Sequence, residues 1–300
     1  MPIQDGYYIQ DDQMMGGQDG YRVPEYGEEE EMVEMSEEDL ARQMMQEIEE
    51  NVAGSQTMWV DPEFPADDSS LFMDPVNRPE WASSDCEWKR PHEIYQGEGK
   101  PMMMKDGFSP GDVKQGELGD CWLLGAFLCL ATNPELLSNL IYHDGMEFGY
   151  AVFRFFKNGR WKYVIIDTQI PYNPSTKEPL YARCVDPQEF WVPLIEKAYA
   201  KLHKHYEILN GGKMGEGMVD ISGGVSEKFN LKAPEMRESL ENGMFWKQLK
   251  NYLKQGFLIG CANSQKIDGK QEEGQGPNGI TFNHAYGLMR MEDVTATEQL

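Results

Sequence analysis

Gln115-Gly116-Glu117-Leu118-Gly119-Asp120-Cys121-Trp122-Leu123-Leu124 is the stretch on which the reading of this chain turns. Two glycines punctuate a turn, an aspartate follows as a helix cap, and an apolar run opens at the cysteine. The pattern predicts a helix from Cys121 to about Thr132, apolar on all sides and therefore buried. A cysteine at such a start meets backbone N–H groups that lack helical partners and the positive end of the helix dipole. Both favour thiolate over thiol, and the thiolate is the nucleophile. Gln115 lies across the turn, where its amide can face an oxyanion formed beside the Cys121 N–H. Free cysteine is also a common core residue. The glycines, the capping aspartate and the upstream glutamine together point instead to a reactive thiol.

Length and composition bound what surrounds this turn. Three hundred residues suit one two-lobed domain or two small ones, and an apolar fraction of 40% with 7 Trp and 13 Phe can fill a core. The formal charge is −24, of which residues 1–57, with 16 acidic and 2 basic side chains, carry −14. That balance argues against nucleic acid and anionic membrane as partners. Five cysteines (86, 121, 129, 184, 261) contain no CxxC pair, so neither a disulfide framework nor a zinc site is indicated, and a reducing compartment is expected. The acidic N-terminus has no apolar leader. The longest apolar run, near Cys121, is about 10 residues against the roughly 20 of a membrane span.

Three segments follow along the chain. Residues 1–57 read as an acidic disordered tail. Within it, Ser36-Glu37-Glu38-Asp39 can cap one helix over 37–51, with Leu40, Met44, Ile48 and Val52 at fourfold spacing. That stripe can dock on the body or on a partner, but its acidity favours a solvated, half-formed helix. Residues 58–220 read as a first lobe: a proline-marked extended approach, the Cys121 helix, and a hairpin of Tyr150–Phe156 and Trp161–Ile166 turning at Lys157-Asn158-Gly159-Arg160. A helix over Phe190–Leu209 follows, stopped by Gly211-Gly212. Residues 221–300 read as part of a second lobe: an amphipathic helix over Met244–Lys254, a strand over Phe257–Ala262, a polar glycine-rich loop over 264–279, and a strand over Ile280–Met289 carrying His284.

These motifs resemble the calpains, the calcium-dependent cytoplasmic cysteine proteases. The resemblance rests first on Gln115 to Leu124. It continues through Glu189-Phe190-Trp191, Leu194-Ile195-Glu196-Lys197-Ala198-Tyr199-Ala200-Lys201, Gly211-Gly212, Gly223-Gly224-Val225 and His284-Ala285-Tyr286, in order. It spans about residues 58–294 and implies an α+β, papain-like two-lobed protease core. Cys121 would be the nucleophile in the first lobe and His284 the general acid/base on a strand of the second, with Gln115 as oxyanion donor. Gly211 and Gly212 would line the substrate groove, although a helix stop explains the pair equally well. The resemblance also implies a calcium site from the side chains of Asp112 and Glu189 with carbonyls of Lys105 and Gly107, an oxygen set that suits this cation. No EF-hand loop pattern occurs.

Two departures from the family stand out. Calpains carry an orienting asparagine after the histidine strand, and Arg290 to Leu300 contains none, so the second lobe is expected to be truncated. They also usually carry glycine where Asn283 stands, and Asn283 is expected to point to the opposite face from its strand neighbour His284. The expectation is a calcium-dependent endopeptidase acting on protein substrates in the cytoplasm, the alternative a calpain-like binding scaffold without turnover.

Overall fold

The expected hairpin is present. The computed structural model describes residues 35–82, 85–105, 107, 111–130, 133–263, 274–276 and 279–293. Strands Tyr150–Lys157 and Arg160–Asp167 pair antiparallel, from Tyr150 opposite Asp167 to Lys157 opposite Arg160. Asn158 and Gly159 have φ of 53° and 78°, the left-handed pair that a two-residue hairpin turn requires. Strand Ile141–Gly145 completes a three-stranded sheet on the other side of Tyr150–Lys157.

Alternation along these strands makes two apolar faces. Ala151, Phe153, Phe155, Val164 and Ile166 enter the main core, against helices Trp191–Leu202 and Met214–Ser222. Tyr150, Val152 and Ile165 form a second cluster on the opposite face, closed by Ile48 of helix Glu37–Ser55. This helix corrects the expectation of a solvated, half-formed segment. Met44, Met45 and Val52 pack beside Ile48, while Leu40 stays exposed. Its acids also find partners on the sheet. Tyr142 and Tyr163 donate to Glu38 at 2.9 and 3.2 Å, Tyr150 donates to Glu49 at 2.6 Å, and Lys162 pairs with Glu37. The tyrosines and the lysine offset the repulsion that would fray so acidic a helix alone. Ser36 caps it as expected, accepting from the Asp39 N–H at 3.1 Å. Residues 1–34 of the expected tail, and most of the loop at 264–279, lie outside the described residues.

Helix Cys121–Cys129 is buried from Trp122 to Phe127, as its uniform apolarity predicts. Its neighbour differs from the expected 190–209 helix. It spans Trp191–Leu202 and gives way at Lys204, whose φ is 93°, to a short 3₁₀ turn over Tyr206–Leu209. Gly211-Gly212 therefore does not stop the helix. A buried ion pair fixes this helix to the sheet: Lys197 donates to Asp167 at 2.6 Å and to the Gln169 carbonyl at 2.7 Å. Asp167 also accepts from the Asp61 N–H at 2.8 Å, and Lys201 pairs with Asp61, which pins the extended approach chain.

Farther along, helix Met244–Lys254 falls on its expected bounds. Strand Gly260–Asn263 starts later than expected, because Phe257 folds back to stack on Tyr252, ring centres 5.0 Å apart. The expected 280–289 strand is two pieces, Thr281–Phe282 and His284–Gly287, divided at Asn283 by a φ of 56°.

Candidate active site

Cys121 is the first residue of its helix and is half-buried. The turn before it is gripped from two sides. On one side Glu117 N–H donates to the Leu180 carbonyl at 3.1 Å, and a Cβ on Gly116 would overlap the Leu180 and Tyr181 carbonyls. On the other side Gly211 N–H donates to Gly119 O at 2.8 Å, Gly119 N–H donates to Asn210 Oδ1 at 3.1 Å, and Trp122 Nε1 donates to Leu209 O at 2.9 Å. Gly211 and Gly212 thus reach the nucleophile turn through the 3₁₀ segment. Gly211, at φ 89°, has open space where a Cβ would stand, whereas a Cβ on Gly212 would overlap the Trp122 indole. Gln115 donates from Nε2 to the Leu118 carbonyl at 2.8 Å, which closes the turn. The amide carries two N–H bonds, so one remains for a ligand oxygen.

Asp120 corrects the sequence reading. Its backbone carbonyl accepts from Leu123 N–H at 2.8 Å, but its side chain caps nothing. The carboxyl turns inward and is fully buried.

Strand His284–Gly287 lies against helix Cys121–Cys129 and runs in the same direction. The Ala285 carbonyl faces Gly125, and Gly287 sits against Cys129 and the Gly125 carbonyl. His284 precedes Ala285 by one residue and Cys121 precedes Gly125 by about one helical turn, so the two candidate catalytic residues, each the first of its element, lie toward the same end of this packed pair. His284 pairs across the sheet with Asn263, and its ring meets Tyr286 edge-on at 4.9 Å. Asn283 is not a regular strand residue. Its left-handed backbone is the conformation glycine adopts freely and asparagine tolerates, which accommodates the departure from the family's glycine. Asn283 therefore does not alternate faces with His284 as it would in a continuous strand, because the strand is broken there.

Asp112 and Glu189 approach each other through two pairings. Val113–Lys114 pairs with Arg183–Cys184, and Val185 N–H donates to Asp112 O at 2.8 Å. Met102 and Met103 run beside Glu189, with Phe190 and Trp191 N–H groups donating to their carbonyls at 3.0 Å each. Glu189 Oε1 accepts from Lys105 N–H at 2.6 Å, and Lys105 Nζ pairs with Asp186 at 3.2 Å. Burial raises the Glu189 carboxyl above its ordinary value, and the charges of Asp112 and Asp186 add to this. A hard cation relieves such crowding, and the donors are all oxygens, so the residues present fit calcium. Among the described residues no group of three or more His, Cys, Asp or Glu side chains is arranged to hold a metal.

The profile of calpain family cysteine proteases matches residues 59–300. The chain belongs to the calpain family of cysteine proteases. It is 34% identical over 246 residues to "Calpain-type cysteine protease ADL1" of Oryza sativa subsp. japonica, covering 81% of this chain and 11% of that protein. It is 35% identical over 253 residues to "Calpain-9" of Rattus norvegicus, covering 83% and 34%. It is 39% identical over 243 residues to "Calpain-A" of Drosophila melanogaster, covering 79% and 27%. The chain thus spans about a tenth to a third of the length of these relatives.

Within this calpain domain the remaining described thiols are poor nucleophile candidates. Burial pushes Cys86 up to about 11 and Cys129 up to about 12, and it raises Cys184 and Cys261 as well. Cys129 also spends its S–H between the Gly125 and Ile259 carbonyls, 3.2 Å from each. No helix among the described residues is long and apolar enough to cross a membrane. The sequence reading missed Asn210, whose amide oxygen holds the turn, and the inward carboxyl of Asp120. An aspartate before a helix reads as a cap in sequence, and only the fold shows it buried.

Proposed function

We propose that this chain is the protease core of a calcium-dependent cysteine endopeptidase that cleaves protein substrates in the cytoplasm. The observation that carries the reading is the parallel packing of the Cys121 helix and the His284 strand, with both residues at one end. Cys121 thiolate attacks the scissile carbonyl carbon. The oxyanion receives N–H donors from the Cys121 backbone and the Gln115 amide. His284 protonates the leaving amine, which departs and leaves an acyl-enzyme. His284 then takes a proton from water, and hydroxide attack on the thioester returns the thiolate. Gly211, with open space at its Cβ position, lets a substrate backbone approach the turn, and Gly212 holds that segment against Trp122. Asp112 and Glu189 side chains with Lys105 and Gly107 carbonyls would hold calcium. When bound, the ion supplies positive charge that offsets the carboxylates crowded around Glu189.

The test is casein cleavage in millimolar calcium and in chelator, with Cys121→Ser and His284→Ala controls. Calcium-dependent cleavage abolished by both substitutions supports the reading. Cleavage retained by Cys121→Ser removes Cys121 as nucleophile, and equal cleavage in chelator removes the calcium requirement.

A further inference from the structure

Directly behind the nucleophile turn lies a pair of acids that the reaction does not use. Asp120 is fully buried and Glu196, on helix Trp191–Leu202, is 1% exposed. Both Asp120 oxygens are shut off from solvent; apart from the Asp120 backbone N–H, the group among the described residues placed to bond with the carboxyl is the Glu196 carboxyl. Glu196 in turn accepts from Ala182 N–H, at 3.2 Å to Oε1 and 3.1 Å to Oε2. Two carboxyl groups can hydrogen-bond to each other only through a proton on one of them. Among the described residues no cation acts on either carboxyl. The titratable groups that face the pair are Tyr181 and Tyr206, both buried and held protonated, and beyond them Cys86, Glu117, Asp68 and Asp167. The Tyr206 hydroxyl is buried and has no hydrogen-bond partner among the described residues.

We propose that Glu196 is a positioning residue for the nucleophile: one proton shared between Glu196 and Asp120 ties the turn in front of Cys121 to helix Trp191–Leu202. This rests on the reading of Cys121 as the reactive thiol. The bond anchors the residue that immediately precedes the nucleophile and whose carbonyl starts its helix. Sharing the proton also leaves at most one buried negative charge behind the thiolate instead of two.

The sign of the pH effect follows from burial. Both carboxyls are held above their ordinary values, chiefly by burial; the charge and hydrogen bond of Asp120 raise Glu196 further, while the bond from Glu196 lowers Asp120 part of the way back. The folded chain therefore binds more protons here than the unfolded one. The stability this contributes is fully present below about pH 4, the unfolded carboxyl value, and is lost as pH rises through the folded values. Glu196→Gln keeps a donor to Asp120 through its amide N–H but removes the second acid. Glu196→Ala removes the bond.

The experiment compares wild type, Glu196→Gln and Glu196→Ala by thermal melting from pH 5 to 9 and by the rate of Cys121 alkylation with iodoacetamide at pH 7. Wild type should lose melting temperature relative to Glu196→Gln as pH rises, by roughly 5 °C across the range. Cys121 alkylation should stay within about twofold of wild type in Glu196→Gln and fall about tenfold in Glu196→Ala. Parallel melting curves for wild type and Glu196→Gln overturn the shared proton, even if Glu196→Ala does not fold. Glu196→Ala that folds and alkylates Cys121 at the wild-type rate overturns the positioning role. A wild type in which Cys121 is not the thiol that reacts first refutes the nucleophile assignment instead, and the melting comparison still reports on the proton.

Discussion

Alanine at position 212 adds one methyl group where the Cε2, Cδ2 and Cζ2 atoms of Trp122 already stand. The indole cannot simply swing away. Its Nε1 is tied to the Leu209 carbonyl, and its ring sits edge-on to buried Tyr199 with centres 6.1 Å apart. Overpacking of this kind costs about 1–3 kcal/mol, and breaking the Trp122–Leu209 bond adds about 1 kcal/mol. For a chain of this size, 1 kcal/mol shifts the melting temperature by about 2–4 °C. Gly212→Ala should therefore melt roughly 4–16 °C lower. The strain falls one residue from Cys121, so alkylation of that thiol should slow as well. Trp122→Phe withdraws the ring atoms that clash. In a double-mutant cycle the combined Gly212→Ala, Trp122→Phe chain should be more stable than the summed single effects predict, by about 1–2 kcal/mol. Gly211→Ala is the control. It meets open space but forces an L-residue to φ 89°, costing about 1–2 kcal/mol that Trp122→Phe does not recover. Additive Gly212 and Trp122 effects, or an unchanged Gly212→Ala melt, would refute the close approach of this segment to the nucleophile helix.

Limiting iodoacetamide followed by mass spectrometry should label Cys121 before Cys86, Cys129 and Cys184, whose thiols burial holds protonated, and before Cys261, an exposed residue whose thiol is also raised; faster labelling of any of these in folded protein would displace the assignment. Ile48→Ala should cost about 2–5 kcal/mol in urea unfolding, since Ile48 closes the outer sheet cluster, and a cost below 1 kcal/mol would show that helix Glu37–Ser55 does not dock in solution. Lys197→Met leaves Asp167 as a buried charge without its ammonium partner and should cost about 3–5 kcal/mol at neutral pH, read by the same unfolding; a neutral effect would mean that water reaches Asp167. Calcium at a hundredfold excess over its Kd should stabilise the chain by about 2.7 kcal/mol, and Asp112→Ala should lose that gain while leaving the melt in chelator unchanged. Equal melts of the unsubstituted chain with calcium and with chelator would remove the site.

Much of this molecule is written in local pattern. The Asn158-Gly159 turn, the all-apolar Cys121 helix and the amphipathic 244–254 helix are read directly, because turn chemistry and apolar period act over a few neighbouring residues. The cysteine at a helix start and the family membership are equally local, carried by one ten-residue stretch and a few spaced motifs. Other features depend on partners distant in sequence. Whether helix Glu37–Ser55 docks was decided by Tyr142, Tyr150, Tyr163 and Lys162, about a hundred residues away, which offer its acids hydrogen bonds. The break at Lys204 carries no glycine or proline to announce it, and Asn283 looked like a strand residue until its φ placed it between two strands. Asp120 is the sharpest case. Its position before a helix spells a cap, but Glu196, 76 residues downstream, is buried beside it, and a carboxyl shut away from water bonds to whatever the fold brings within reach. Sequence determined which residues could do the chemistry. The fold alone decided which of them meet, because burial and long-range pairing have no period along the chain.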